Sequence, residues 1–175
     1  MSVLNDVMIH RRVKSENIIS PFNLESLQPC SYDLHFDASE GFINPPYARE
    51  ECDGNLIIPP NDLTLVSTVE HINVPTDLCG VVHGKSSLGR IGLAVHITAG
   101  FVDSGFNGKI TMELVNHNNY PIVLKDGCSI GQIQFQELTF DSRTAYSDKR
   151  NHYQYQDTVK ESRYKFCDGM YIVED

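Results

Sequence analysis

Residues 93–114 of this 175-residue chain read LAVHITAGFVDSGFNGKITMEL. Apolar and polar residues alternate at both ends of this stretch, over 93–97 and again over 110–114. A period of two predicts half-buried β-strands, because successive side chains of a strand point to opposite faces of the sheet. Met112 should then face the core, and Glu113 the other side.

The same alternation occurs over residues 63–69, and short apolar runs lie at 122–124 and 130–135 between turn-forming sequences. Residues 4–9 favour a short opening helix. Many short strands with few helices predict an all-β fold, either a barrel or a sandwich. The chain length suits one domain over residues 1–175.

The composition excludes several protein classes. No apolar run is long enough to span a bilayer as a helix, and the first residues lack the pattern of a signal peptide, so we expect a cytoplasmic protein without membrane contact. The five cysteines are scattered, which indicates reduced thiols rather than a disulfide framework or a paired-cysteine zinc site.

The formal net charge of −9 argues against broad binding to nucleic acid, which requires a basic surface. A small anionic ligand would need a locally basic pocket. The candidate cations for such a pocket are Lys85, Arg90, Lys149, Arg150 and Lys160.

A second motif, residues 84–90, reads GKSSLGR. Ser86 and Ser87 predict the start of a helical turn, where free backbone N–H groups bind phosphate and Arg90 adds a charged fork. The serine pair would equally serve as a plain helix cap. The sequence has no Gly-x-x-x-x-Gly-Lys-Ser/Thr loop, which argues against a P-loop nucleotide hydrolase.

Three further side chains leave alternatives open. Glu113 is either a solvent-facing glutamate or, in a pocket with bound water, a general base. Asp103 lies in a Val-Asp-Ser-Gly turn and is by itself more typical of a turn than of a catalyst. His96 either lines a pocket or is a hydrogen-bonded core histidine. The polar, tyrosine-containing segment 141–175 is either a lid or a loosely packed end.

Several segments in sequence order carry a family resemblance. They are ISPFN at 19–23, QPCSYDL at 28–34, LIIPP at 56–60, STVE at 67–70, YQYQ at 153–156 and SR at 162–163. Together with the two central motifs they resemble the dCTP deaminase and dUTPase superfamily. The resemblance implies a distorted β-barrel or jelly-roll of the dUTPase-like type, assembled as a homotrimer whose active sites are shared between subunits, with segment 141–175 closing over the substrate.

Within that superfamily, a glutamate at the position of Glu113 is typical of deaminases. By resemblance, Glu113 activates a water that attacks C4 of cytosine, Ser86 and the Ala99 carbonyl hold that water, and Arg90 steadies the developing charge. No metal touches the base, and zinc deaminases need a Pro-Cys-x-x-Cys that Pro29-Cys30 does not continue. The resemblance implies Mg²⁺ carried on the triphosphate and no zinc.

The segment Thr98-Ala99-Gly100-Phe101 bears on the product. Relatives that only deaminate tend to carry a histidine and a basic residue after Thr-Ala, whereas bifunctional ones carry glycine and an aromatic. The resemblance therefore implies that dCTP becomes dUMP, ammonia and pyrophosphate, with Asp103 placing the water that attacks the α-phosphate. The alternatives are a deaminase releasing dUTP, a monofunctional dUTPase and a non-catalytic nucleotide-binding trimer. Feedback inhibition by dTTP is a family property.

The resemblance assigns substrate contacts to Lys85, Ser86, Ser87, Arg90, Asp103, Thr111, Met112, Glu113, Tyr146, His152 and Gln156. The first four would hold phosphates and could come from a neighbouring subunit. Two positions depart from the family pattern. His152 stands where lysine is more common, so either His152 or Lys149 meets a phosphate, and Lys85 replaces an arginine, which keeps the charge but loses the planar fork.

Overall fold

The computed structural model describes residues 2–149 and 151–173. Two α-helices are present in this part of the chain, α1 (Asp6–Glu16) and α2 (Ser86–Arg90). The strands are β1 (Ile19–Ser20), β2 (Leu27–Gln28), β3 (Ser31–His35), β4 (Phe42–Ile43), β5 (Asn55–Ile58), β6 (Leu63–Asn73), β7 (Leu78–Gly84), β8 (Leu93–Val95), β9 (Phe101–Val102), β10 (Asn107–Asn116), β11 (Ile122–Lys125), β12 (Ser129–Glu137), β13 (Lys165–Cys167) and β14 (Met170–Ile172). Short 3-10 turns lie at Leu24–Ser26, Ala38–Glu40 and Tyr146–Asp148.

The opening helix begins later and runs longer than the expected 4–9. The Asn5 side chain accepts a hydrogen bond from the Met8 N–H at 3.0 Å and so caps α1. The helix ends at Asn17, whose left-handed backbone (φ 52°) is a common way to stop a helix. Residues 10–16 read HRRVKSE, so little of the helix shows an apolar face in the sequence.

The strands form two five-stranded antiparallel sheets around a common core. One sheet has the order β1-β6-β10-β8, with β4 also paired to β6, and the other has the order β2-β3-β12-β7-β9. The pairs β5–β11 and β13–β14 form two separate two-stranded sheets. The mainly β fold is confirmed. The closed barrel is not present among the described residues, because both sheets have unpaired ends.

Strand β10 follows the predicted alternation over its whole length. Its even-numbered positions are buried, and Met112 and Leu114 are fully so, while Thr111 and Glu113 lie on the opposite, partly exposed face. Pairing with β6 shifts register between Lys109 and Thr111, which marks a bulge. Beyond the bulge Glu113 pairs with Leu65. The outward face of β10 is therefore the surface on which a site can form.

A partly buried ion cluster fixes the start of β10. The Lys109 Nζ lies 2.8 Å from an Asp37 oxygen and 3.0 Å from a Glu40 oxygen. Burial by itself would raise the pKa of Asp37, but the hydrogen bonds from Lys109 and Ser39 outweigh it and hold that pKa below its ordinary value. The cluster thus ties the 3-10 turn at 38–40 to the strand that carries Glu113.

Residues 154–160 of the tail are docked against β10, whereas residues 165–173 are exposed. The Lys109 N–H donates to the Gln156 oxygen at 2.8 Å, and the Lys160 N–H donates to the Thr111 Oγ1 at 3.1 Å. Val159 is 3% exposed and packs with Ile43 and Leu65. This part of the tail therefore forms one wall above the outward face of β10.

No helix among the described residues is long and apolar enough to cross a membrane.

Candidate active site

A cavity of about 610 Å³ lies over the outward face of β10. Its walls come from β10, from the loop around residues 96–103 and from the docked tail. Six of the residues to which the resemblance assigns a role in catalysis or substrate binding line it, namely Ala99, Asp103, Thr111, Glu113, Tyr146 and Gln156. These residues span 58 positions of sequence, so the folding of the tail onto β10 is what brings them together.

The Glu113 carboxylate is held at the cavity wall by groups of His96 and Ile97, which directly follow strand β8. Its Oε2 accepts a hydrogen bond from the Ile97 N–H at 3.2 Å and lies 3.6 Å from the His96 Nδ1. The side chain is 31% exposed, so water can reach it. A carboxylate that is held in place and reached by water is suited to accept a proton from a bound water.

The sequence left open whether His96 lines a pocket or is a hydrogen-bonded core histidine. Its ring is buried and also lines the cavity, so both descriptions apply. The His96 N–H donates to the Glu113 main-chain oxygen at 2.7 Å, and its Nε2 lies 2.9 Å from the Ala99 oxygen. The backbone is left-handed, with φ 59°. The ring therefore connects two groups with expected roles in the reaction.

The side chain of Gln156 has one polar atom without a hydrogen-bond partner among the described residues. Its Nε2 donates to the Lys109 oxygen at 2.6 Å, while its Oε1 is buried without a hydrogen-bond partner among the described residues. The tail approaches so closely here that a Cβ at Gly108 would lie 3.0 Å from Gln156 backbone atoms. A buried acceptor without a donor is costly, so this oxygen is suited to a ligand N–H.

Asp103 lies where two cavities meet. It is exposed and lines both the large cavity and a neighbouring one of about 350 Å³, as does Tyr146. Burial raises the pKa of Tyr146, and the negative charge of Asp103 raises it further. The Phe106 N–H donates to the Asp103 oxygen at 3.1 Å, so the expected turn is present as well. Lys149 and Cys79 line the smaller cavity.

The serine and arginine motif lies on another surface. Ser86, Ser87 and Arg90 are exposed on α2, as expected for a helical turn, and the described lining of the large cavity includes none of them. The helix cap is Lys85 without a side-chain bond, so the cap role considered for the serines is wrong. The Lys85 Nζ instead lies 2.6 Å from an oxygen of Asp33.

The remaining predicted residues lie outside the large cavity. The Met112 side chain is fully buried and faces Gly131, so Met112 can meet a ligand only through its main chain. His152 is exposed and stands edge-on to the ring of Tyr153. Lys149 lines the smaller cavity together with Asp103, and the described lining of that cavity does not include His152. Arg150 lies outside the described residues.

Two groups that orient predicted site residues were not predicted from the sequence. The Ile97 N–H that binds Glu113 is a main-chain group, and no residue type marks it. Asp33 belongs to the Ser-Tyr-Asp-Leu motif, but its pairing with Lys85 spans 52 positions. Among the described residues no three His, Cys, Asp or Glu side chains converge as a metal site, and all five cysteines are unpaired.

Comparison with known proteins identifies the family. A dCTP deaminase-like family model matches residues 3–138. A Corynebacterium glutamicum protein named "dCTP deaminase, dUMP-forming" is 34% identical over 171 residues, covering 88% of this chain and 90% of its own.

Two solved structures share the fold. The first is a 2′-deoxycytidine 5′-triphosphate deaminase from Agrobacterium tumefaciens, with a TM-score of 0.67 and 18% identity over 78% of this chain and 48% of that one. The second is a mutant dUTPase of phage phi11 of S. aureus, described with a structural Mg(II) ion, with a TM-score of 0.51 and 12% identity over 80% and 97% of the two chains. With the sequence match spanning both central motifs, the chain belongs to the dCTP deaminase-like family.

Proposed function

We propose that this protein converts dCTP and water into dUMP, ammonia and pyrophosphate. The observation that carries the proposal is the Glu113 carboxylate, fixed by the Ile97 N–H at the wall of a cavity that also contains Asp103. The dUMP-forming name of the Corynebacterium relative supports the same product.

In the deamination, Glu113 takes a proton from a water whose oxygen bonds to C4 of the cytosine, and passes that proton to N3. It then takes the proton of the new C4 hydroxyl and delivers it to the amino group, so the C4–N bond breaks and ammonia leaves. Ser86 and the Ala99 carbonyl orient the water, and Arg90 stabilises the charge that develops on the ring.

In the hydrolysis, Asp103 orients a second water toward the α-phosphate. The oxygen of this water bonds to the α-phosphorus and a proton of the water passes to Asp103, while the bond from the α-phosphorus to its bridging oxygen breaks and pyrophosphate leaves with that oxygen. The exposed position of Asp103 between the two cavities supports this role, because a carboxylate there can reach water from either side. Gly100 and Phe101 give the loop before Asp103 the pattern associated with dUMP-forming relatives.

The active site is completed by a second subunit of a homotrimer. The separation of the α2 motif from the cavity within one chain supports this arrangement, since phosphate-binding residues and the Glu113 carboxylate must meet one nucleotide. Ser86, Ser87 and Arg90 of a neighbour then face the cavity, and Lys85 is oriented by Asp33. The docked tail, with Tyr146, Gln156 and either Lys149 or His152, covers the substrate.

Mg²⁺ enters with the triphosphate, where it would neutralise phosphate charge; no zinc takes part. Mg²⁺ keeps several of its waters and needs few protein ligands. The site fits such an ion, because exposed Asp103 can hold one of its waters while the described residues offer no cage of three ligands. Five unpaired cysteines support a reducing, cytoplasmic location. There the enzyme supplies dUMP for dTTP synthesis, with dTTP as its feedback inhibitor.

Incubation of the purified protein with dCTP and Mg²⁺, and separately with dUTP, tests the proposal. Nucleotides are resolved chromatographically while ammonia and pyrophosphate are assayed. We expect dUMP with equal amounts of ammonia and pyrophosphate from dCTP. Accumulation of dUTP would indicate a deaminase without hydrolysis, turnover of dUTP alone a dUTPase, and no turnover a nucleotide-binding protein. The dUMP-forming relative from Corynebacterium glutamicum favours none of these three alternatives.

A further inference from the structure

The imidazole of His96 lies between the two groups that the proposed deamination uses at the water. One nitrogen, Nε2, is 2.9 Å from the Ala99 oxygen, and the other, Nδ1, is 3.6 Å from the Glu113 Oε2. The His96 side chain is only 8% exposed. A ring held in this way fixes the carbonyl and the carboxylate relative to each other.

The hydrogen-bond partners decide where the ring carries its proton. A carbonyl oxygen can only accept, so Nε2 must be the protonated nitrogen and must donate to Ala99. In the neutral ring Nδ1 then presents a lone pair. Nδ1 is buried and has no hydrogen-bond partner among the described residues. The Nδ1 lone pair facing Glu113 is satisfied when Glu113 carries a proton.

The backbone at His96 holds the ring in this place. Its left-handed conformation is uncommon for a residue other than glycine, and such outliers often mark functional positions. The 2.7 Å hydrogen bond from the main-chain N–H of His96 to the main-chain oxygen of Glu113 sets the ring beside the carboxylate. Asparagine adopts the same backbone readily, so the conformation by itself does not require an imidazole.

We propose that His96 is a positioning residue that receives a hydrogen bond from Glu113 each time Glu113 carries a proton. The inference rests on the proposed deamination. When Glu113 removes a proton from the water, the O–H bond of the water breaks and an O–H bond on Glu113 forms. That O–H donates to the His96 Nδ1 until the proton passes to cytosine N3, and the second proton is held in the same way before it leaves with ammonia. The imidazole gains and loses no proton.

Other ionisable groups share the cavity. Asp103 lines it from the loop after β9, Lys160 and Glu161 from the tail, and the tyrosines Tyr146, Tyr153, Tyr164 and Tyr171 also contribute. Of the ionisable groups that line the cavity, the Glu113 Oε2 lies 3.6 Å from the His96 Nδ1. The buried Nδ1 therefore faces the carboxylate that carries the proton in the proposed reaction.

Three substitutions separate the side-chain role from a structural one. His96→Gln keeps an N–H donor for Ala99 but places no acceptor where Nδ1 lies, so kcat should fall on the order of 10-fold to 100-fold. His96→Leu removes both interactions, and kcat should fall on the order of 100-fold with KM for dCTP nearly unchanged. His96→Asn suits the backbone and places its Oδ1 where Nδ1 lies, although it is too short to reach Ala99, so it should be more active than His96→Leu.

Ammonia release by the parent enzyme tests the proposed function separately, so failure of that function is distinct from failure of this inference. Thermal unfolding of each variant confirms that it folds. Full activity of the Leu or Gln variant, or an Asn variant no more active than the Leu variant, would overturn the role of His96.

A spectroscopic measurement tests the same inference without turnover. In protein labelled with ¹⁵N at histidine, the resonance that disappears in His96→Gln identifies the His96 ring. We expect the neutral ring with its proton on Nε2. A ring protonated on Nδ1 instead would contradict the proposal, because that nitrogen could not accept a hydrogen bond from Glu113.

Discussion

The Gly100 main-chain oxygen accepts a hydrogen bond from the Val82 N–H at 2.6 Å, and a Cβ at position 100 would lie 2.6 Å from the Val82 oxygen. Real Cβ atoms do not approach backbone oxygens so closely. The glycine therefore lets the loop of Ala99 and Asp103 lie directly against β7. The glycine after Thr-Ala, which by resemblance is associated with bifunctional relatives, thus also determines the position of this loop.

Gly100→Ala should displace the loop and lower both activities. Because the contact is with backbone, the strand or the loop must move, at a cost of about 1–3 kcal/mol in the free energy of unfolding. We expect dUMP formation to fall at least tenfold, measured by chromatography of the products. Gly89→Ala is the matched stability control, since a Cβ there meets nothing within 4 Å. Equal stability of the two variants would mean that the close approach at Gly100 is unimportant.

Glu113→Gln should abolish ammonia release while leaving dCTP binding largely intact. The amide keeps the size of the side chain but cannot accept a proton, so the rate should fall by about 100-fold to 10,000-fold. Ammonia assay and equilibrium binding of dCTP measure the two effects. Glu50→Gln, on the exposed edge of the β4 region, is a control. Continued deamination by Glu113→Gln would remove Glu113 from the mechanism.

Asp103→Asn should suppress pyrophosphate release, because the amide orients the second water poorly and bears no charge. The substitution should also lower the pKa of Tyr146 from its raised value, since one cause of that rise is the charge of Asp103. Pyrophosphate assay measures the first effect, and the absorbance of the phenolate during alkaline titration measures the second. Asp141→Asn alters an exposed carboxylate and should change neither. An unchanged rate of pyrophosphate release would exclude the hydrolytic role of Asp103.

Lys109→Met should change how stability depends on pH. In the parent the pKa of Asp37 is depressed, so its contribution is present above the ordinary value of 3.8 and lost as pH falls through the folded-state value. The pKa of Lys109 is raised despite burial, so its contribution is present below 10.5 and lost as pH rises through the folded-state value. Stability from this pair is thus greatest between these limits.

Without Lys109, Asp37 and Glu40 remain partly buried without their cation, which should cost about 2–3 kcal/mol at neutral pH. The pKa of Asp37 should then lie higher than in the parent, because the contribution of Lys109 is lost, and the variant should lose less stability than the parent on acidification. Urea unfolding between neutral and acidic pH measures both effects. Lys165→Met, in the exposed strand β13, should leave the parent profile. A Lys109→Met profile parallel to the parent's would contradict the prediction.

Val159→Ala should loosen the tail from the wall of the cavity. Val159 is buried against Ile43 and Leu65, and removal of its methyl groups should weaken that contact by about 1–2 kcal/mol. We expect faster tryptic cleavage after Lys160 and a higher KM for dCTP. The exposed Val123 provides the control Val123→Ala. Identical cleavage rates in the two variants would show that Val159 does not anchor the tail.

The sequence predicted those parts of the fold that depend on near neighbours. Alternation located β10 and placed Glu113 outward, and Ser86 was expected to open a helical turn. The length of α1 was missed because residues 10–16 are almost wholly polar. Sheet closure depends on pairing between distant strands, which alternation does not encode, so alternation left a barrel and a sandwich open, and the described residues form two sheets without a closed barrel.

The candidate site shows the same division. Residue type and spacing indicated Glu113 and Asp103, and the structure places both at one cavity. The bond from the Ile97 N–H to Glu113 depends on loop conformation, and the Lys85–Asp33 pair depends on two distant strands meeting. Docking of the tail through Val159 rests on one ordinary valine, whose burial no local pattern announces.

The alternation along β10 also limits how the gene for this protein can vary. A substitution at Thr111 changes one side chain, but loss or gain of a single codon between Lys109 and Glu113 would exchange the two faces for every residue beyond it. Met112 would then be turned toward water and Glu113 toward the core. The number of residues in this strand should therefore be inherited more strictly than their identities.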